Sequence, residues 1–217
     1  MKPTLNEWLE MFYRIGNLVI RSPFSIRKPK IGEDCLVLKS RSFPPTHPST
    51  KAALTILQRM EIKTHARILD IGCGSGILGL AAVLKNGTTA LGCDICARAI
   101  KASIQNIALN RMEDRVHLFR GSVDAVSGSF NLILANLHAV THMEMFDHYH
   151  RLLPLKGDLL IVSGFYDVQA AEIEKKLYQM GFTVLERVTV HAWAAALTEE
   201  GSYTWMGFGL KRVACDR

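Results

Sequence analysis

The run Asp70-Ile71-Gly72-Cys73-Gly74-Ser75-Gly76-Ile77-Leu78-Gly79 sets a carboxylate two residues ahead of a series of glycines, and a second carboxylate, Asp94, follows further along. Glycines so spaced let backbone N–H groups come up against a ligand with no Cβ in the way. Two patterns overlap here. Gly74, Gly76 and Gly79 fit G-x-G-x-x-G, which cradles a dinucleotide pyrophosphate, with Asp94 about where a ribose-binding acid belongs. Asp70, Gly72, Gly74 and Gly76 fit acid-x-Gly-x-Gly-x-Gly instead. Charge favours the second pattern. A carboxylate beside a helix N-terminus opposes a pyrophosphate there, whereas a ligand with a cationic end gains a charge-assisted hydrogen bond from it. Asp94 suits ribose hydroxyls in either case.

The second pattern resembles the first motif of S-adenosylmethionine-dependent methyltransferases, whose cofactor carries an ammonium and a sulfonium and no phosphate. On that resemblance Asp70 faces the amino-acid end of the cofactor, directly or through water, and Asp94 the ribose. The loop after the third strand, where such enzymes contact adenine, contains Ser122, Val123 and Asp124, with Ser122 standing where Asp is common. Asn136 ends the fourth strand, and an amide there can accept an incoming amine N–H and aim its lone pair at the methyl carbon. The competing reading is that Asn136 caps the next helix. Methyltransferases of adenine amino groups carry Asn-Pro-Pro-aromatic at this point; Asn136-Leu137-His138-Ala139 departs from that and argues against direct nucleic-acid binding. His138 is close enough to Asn136 to be considered as a general base. His138 and His142 share one helix face, but with no third ligand in view no metal is expected.

These residues need a scaffold. Strand patterns at Arg67–Gly72, 89–94, 115–119, 130–136 and 157–164 alternate with helical periodicity at 77–85, 96–108, 139–153 and 167–180, and two further strands fall near 182–191 and 203–210. The alternation predicts a doubly wound, mostly parallel α/β sheet of seven strands in three layers, with an antiparallel last strand because no helix separates the final two. Ligands of such sheets bind at the carboxyl ends of the strands beside the first one, so the loops after 71, 94, 120 and 136 should build the site. In the helix after 136, Ala139, Met143, Phe146 and Leu153 are expected on the inner side. Upstream, Thr4-Leu5-Asn6-Glu7 has the form of a capping box, and Leu5, Trp8, Leu9, Phe12 and Ile15 predict a short amphipathic helix. Residues 17–20 and 35–38 are strand candidates, and a helix is expected over 50–60.

Composition narrows the class. A chain of 217 residues, 48% hydrophobic and 21% charged, is ordinary globular material. No apolar run reaches the ~20 residues of a membrane helix. Glu7, Glu10 and Arg14 interrupt the apolar N-terminus, which therefore does not read as a signal peptide, and a cytoplasmic location is the default. Cys93 and Cys96 form a CxxC with no second ligand pair, so the five cysteines read as small core thiols rather than a zinc or redox centre. Charge is uneven: residues 1–51 hold nine Lys/Arg against four Asp/Glu, +5 of the total +6. That basic segment suits an acidic partner or RNA as well as a merely solvated arm.

Taken together, Ser42–Thr50 (SFPPTHPST), RILDIGCGSGILGLAA, LGCDICARAI, NLILANL and LLPLKGDLLIVSGF resemble the catalytic domain of ribosomal-protein methyltransferases of the PrmA family, over about residues 17–211. That family has a Rossmann-like fold and methylates lysine and N-terminal amines of a large-subunit ribosomal protein. His47-Pro48-x-Thr50 and Ala135-Asn136 are its more particular motifs. The resemblance implies cofactor contacts at Thr50, Gly72, Asp94 and Asn136, in addition to Asp70, Gly74, Gly76, Ser122 and Val123 read above. It makes residues 42–50 a lid over the methionine end of the cofactor. Two departures stand out. Pro44-Pro45 occupy positions where the family has glycines, which stiffens that segment. Some 40 residues stand where the family has a sizeable recognition domain. The expected organisation is a basic N-terminal segment, 1–48, and a methyltransferase domain, 49–217. The expected activity is S-adenosylmethionine-dependent methylation of amines on a protein substrate, a ribosomal protein first among them. A small-molecule methyltransferase, a non-catalytic S-adenosylmethionine-binding module and a dinucleotide oxidoreductase stay open as alternatives.

Overall fold

The computed structural model describes residues 11–39, 45–86, 89–191 and 204–213. Seven strands form one sheet: β4 (Arg67–Ile71), β5 (Thr89–Asp94), β6 (Val116–Arg120), β7 (Leu132–Asn136), β8 (Leu159–Tyr166), β9 (Phe182–His191) and β10 (Thr204–Arg212). Their order is β6-β5-β4-β7-β8-β10-β9. The pairs from β6 through β8 are parallel, and β10 lies antiparallel between β8 and β9. The sequence-predicted sheet is therefore present, and its antiparallel strand is the last in the chain.

Alternation along the central strands sorts side chains onto two cores. Ile68, Leu132 and Leu134 face a layer built from α1 (Pro48–Arg59), α2 (Ile77–Asn86) and Ile107 of α3 (Ala97–Leu109). Leu69, Ile71, Ile133 and Ala135 face α4 (Ala139–Leu152) and α5 (Asp167–Gln179). Both faces being covered explains why these strands read as continuous apolar runs. The carboxyl end of α1 is fixed to α2 by Lys85, whose ammonium donates to the carbonyls of Leu57 (2.7 Å), Gln58 (2.9 Å) and Met60 (2.7 Å), carbonyls that a helix terminus leaves unpaired.

A second sheet of β1 (Phe12–Ile15), β2 (Leu18–Arg21) and β3 (Asp34–Val37) packs Leu18, Ile20 and Leu36 into the α1/α2 core. Here the structure corrects an expectation. Of the residues assigned to an amphipathic helix, Leu5, Trp8 and Leu9 lie outside the described residues, and Phe12–Ile15 is a strand. Tyr13 and Ile15 pack on the core two residues apart, the period of a strand, and the Gly16-Asn17 turn folds the chain straight back into β2. A second correction falls on α4. Its buried line is His142, Phe146, Tyr149 and Leu152; Phe146 and Leu153 are buried as expected, whereas Met143 is 36% exposed. Among the described residues no helix is long and apolar enough to cross a membrane.

Candidate functional site

At the carboxyl ends of β4 and β7 lies a cavity of about 330 Å³, bounded by the 72–75 loop, by Asn136–His138, and by His47, Ser49 and Thr50 at the start of α1. Local sequence explains how α1 enters it. His47 is the N-cap, its Nδ1 accepting the Ser49 N–H at 3.3 Å, and Pro48 occupies the first helical position, where a missing N–H costs nothing. That arrangement leaves Ser49 and Thr50 in the first turn, on the cavity wall.

Asp70 is the last residue but one of β4 and is 3% exposed. Its Oδ2 accepts the Gly79 amide at 3.0 Å, and no lysine, arginine or histidine among the described residues pairs with it. Burial pushes its carboxyl up to about 7, against which the Gly79 hydrogen bond works, while the negative Asp94 nearby adds to the rise. The loop that follows turns at Gly72, whose φ of +68° and whose missing side chain are both required: a Cβ there would lie 2.5 Å from Leu137 Cδ2.

Of the residues singled out from sequence, Thr50, Asp70, Gly72, Gly74 and Asn136 meet on this cavity. Gly76, Asp94, Ser122 and Val123 are not in its wall. Gly76 completes the turn behind the wall, donating to Cys73 O at 2.7 Å. Asp94 supports the loop: Oδ2 accepts the Gly74 amide at 3.0 Å and Oδ1 the Cys96 amide at 2.8 Å, leaving further lone pairs on both oxygens. Ser122 and Val123 open a short 3₁₀ turn after β6, and Gly121 N donating to Asp94 O (3.0 Å) brings that turn beside Asp94. Arg151 of α4 clasps the turn through the carbonyls of Val126 (2.8 Å) and Val123 (3.2 Å).

Asn136 does not cap the next helix; the N-cap is His138. Its Nδ2 donates to Thr50 Oγ1 at 3.2 Å, and its Oδ1 accepts the Ser163 hydroxyl at 3.1 Å. The two histidines considered as a metal pair part company. His138 lines the cavity, and His142 is fully buried with Nδ1 on Tyr149 Oη (2.8 Å) and Nε2 on Ser163 O (2.9 Å), so neither ring nitrogen is available to a metal. Burial holds His142 down at about 4, hence neutral.

Several contributors went unnoticed in the sequence. Trp205 of β10 lines the cavity, its ring 4.7 Å edge-on from His47 and 4.3 Å from Tyr166. Gly164 also lines it. Ser103 and Asn106 of α3 hold the glycine loop from behind, donating to Gly74 O (3.0 Å) and Ser75 O (2.8 Å). Only a small residue at the helix face next to the loop hinted at Ser103, and nothing local marked Ser163 or Trp205. Phe43 and Pro44 of the Ser42–Thr50 stretch lie outside the described residues.

A doubly wound sheet that carries an acid near the end of its first strand, turns through glycines and ends its second on another acid defines a Rossmann-like protein of the S-adenosylmethionine-dependent methyltransferase class. Within that class the chain belongs to the ribosomal protein L11 methyltransferase (PrmA) family, whose model matches residues 45–200. The ribosomal protein L11 methyltransferase of Desulfosudis oleivorans is 30% identical over 197 residues, 87% of this chain and 65% of the relative. That of Helicobacter pylori strain Shi470 is 32% identical over 154 residues, 69% of this chain and 44% of the relative. The chain thus spans about half the length of the curated relatives it matches. The crystal structure of a ribosomal protein L11 methylase from Lactobacillus delbrueckii subsp. bulgaricus superposes with a TM-score of 0.75 at 25% identity, covering 91% of this chain and 94% of that one.

Proposed function

We propose that this chain holds S-adenosylmethionine between the glycine loop and Asn136 and methylates an amine of a protein, a lysine side chain or an N-terminus, with a ribosomal protein as the first candidate substrate. The observation that carries the reading is Asp70: a buried carboxylate in the cavity wall, raised to about 7, with no cation beside it among the described residues. A ligand ammonium is the complement such a group lacks. The rest of the wall fits the same cofactor. About 330 Å³ is within the usual range of small-molecule sites, Gly72 keeps the floor open, and Thr50, Asn136 and the 72–75 backbone supply the polar contacts.

Bound there, S-adenosylmethionine supplies a methyl group activated by its sulfonium. Asp70 would hold the ammonium end, and Asp94 and the Ser122–Val123 turn clasped by Arg151, which lie beyond the cavity wall, would meet the ribose hydroxyls and the adenine edge where the cofactor extends past it. The second lone pair of Asn136 Oδ1 accepts an N–H of the acceptor amine and turns its nitrogen lone pair inward. The amine must be neutral to react, and His138, on the same wall, is the candidate general base.

Methyl-labelled S-adenosylmethionine, incubated with the protein and with ribosomal proteins, other proteins and small amines separately, tests this. Label in protein amines is expected, with turnover rising between about pH 6 and 9 as the amine loses its proton. Label confined to small amines would make the enzyme a small-molecule methyltransferase. A flat profile with chemistry limiting would overturn the amine acceptor. Tight binding without any S-adenosylhomocysteine would leave a binding module.

A further inference from the structure

We infer that Ser163 is a positioning residue for methyl transfer: seated on β8 by His142 and Tyr149, it fixes the plane of the Asn136 amide against the cavity. The inference rests on the reading of Asn136 just given.

Protonation follows from what each atom can do. The Ser163 carbonyl only accepts, and it receives both the Leu137 amide (2.9 Å) and His142 Nε2 (2.9 Å). The proton of the neutral imidazole is therefore on Nε2, and the bare Nδ1 accepts from the Tyr149 hydroxyl at 2.8 Å. One tautomer satisfies the whole buried chain, and Tyr149 and His142 are each 0% exposed. The Ser163 hydroxyl has a single proton, and it goes to Asn136 Oδ1. The other end of the amide donates to Thr50 Oγ1. Asn136 is thus pinned between β8 and α1, with one Oδ1 lone pair used and one left over. Thr50, having accepted, keeps its own hydroxyl proton to donate into the cavity. Gly164 makes the seat close enough: with φ at +99°, a Cβ there would lie 2.2 Å from Leu137 O. Reactions that depend on orientation lose rate steeply when a group swings by an ångström or so.

The test replaces Ser163 and reads Asn136. In Ser163→Ala, turnover should fall roughly 10- to 100-fold, while affinity for S-adenosylmethionine changes less than about threefold, since the glycine loop and Asp70 are untouched. Ser163→Cys, a near-isostere with a weaker donor, should fall between. On Asn136→Ala, adding Ser163→Ala should cost nothing more, because the residue it positions is gone. The side-chain amide signals of Asn136 in a ¹⁵N-labelled sample should move in Ser163→Ala while the backbone spectrum stays folded. Additive losses, unchanged turnover in Ser163→Ala, or unmoved Asn136 amide signals would each overturn the inference. Should the wild-type protein transfer no methyl group at all, the reading of the preceding section falls, and the amide signals still decide whether Ser163 fixes the Asn136 amide.

Discussion

The carboxylate of Asp70 reaches across the start of α2 to accept the Gly79 amide at 3.0 Å, so the acid near the end of the first strand also anchors the helix after the glycine loop. That bond satisfies one lone pair of a group taken out of water and leaves its charge uncompensated. Two consequences can be measured, one on binding and one on stability.

On binding, an ammonium beside Asp70 favours the ionised form and draws its pKa down from about 7. At pH 7 the free protein holds the proton about half the time, so S-adenosylmethionine should release a fraction of a proton as it binds. Calorimetry in buffers of different ionisation enthalpy reads this directly. Release should grow as pH falls through 7 and give way to uptake above about pH 8, where the free cofactor's own α-amino group, ordinarily about 7.7–8.0, has lost its proton, with affinity weakening on both sides. Asp70→Asn should abolish the release and weaken binding by about 1–3 kcal/mol, the worth of a charge-assisted hydrogen bond. Undiminished release in that variant would place the cofactor's cation elsewhere.

On stability, the sign for Asp70 is the reverse of the usual carboxylate. Its folded value, about 7, exceeds its ordinary 3.8, so the native state binds the proton more tightly and stability drops as pH rises from about 4 to 7. His142 slopes the other way. Its folded value of about 4 lies below 6.5, so stability is lost as pH falls through that window. The two slopes oppose each other in the native chain. Asp70→Asn removes one of them, and urea denaturation should show the variant gaining on the wild type steadily between pH 4 and 7. A difference that stays constant across that range would contradict the burial of an ionisable Asp70.

How much of this was legible beforehand differs by element. Ile68-Leu69-Asp70-Ile71 and Leu132–Asn136 announce their strands because both faces are buried, and Asp70, Gly72 and Asn136 sit at strand ends, where parallel sheets put ligands. Local pattern reached that far. It misread Phe12–Ile15, since four residues fit either a helical or an alternating period, and what makes them a strand is their antiparallel pairing with β2 across the Gly16-Asn17 turn. It gave no sign that His142, polar and on a helix, is core, because its partners, Tyr149 and Ser163, lie seven residues on and on the following strand. Ser163, Trp205 and Asn106 are visible only once β8, β10 and α3 have closed around the cavity.

Asn106 offers the remaining prediction, because it joins the glycine loop to the small sheet. It is wholly buried, donating from Nδ2 to Ser75 O at 2.8 Å and accepting the Lys39 amide on Oδ1 at 2.7 Å. One turn on, Asn110 grips the end of β3, two residues before Lys39, accepting the Val37 amide at 2.9 Å and donating to the Val37 carbonyl at 2.7 Å, but it does not touch the loop. Asn106→Ala strands the carbonyl of buried Ser75, and an orphaned buried group costs about 1–3 kcal/mol, whereas the amide of exposed Lys39 can turn to water. Chemical denaturation should therefore show a loss of roughly 1–3 kcal/mol, and S-adenosylmethionine affinity should fall as well, since Ser75 lines the cavity. Asn110→Ala should lose comparable stability, from the same small sheet, with affinity kept. If both variants lose affinity equally, the small sheet as a whole, rather than the Asn106–Ser75 bond, holds the glycine loop in place.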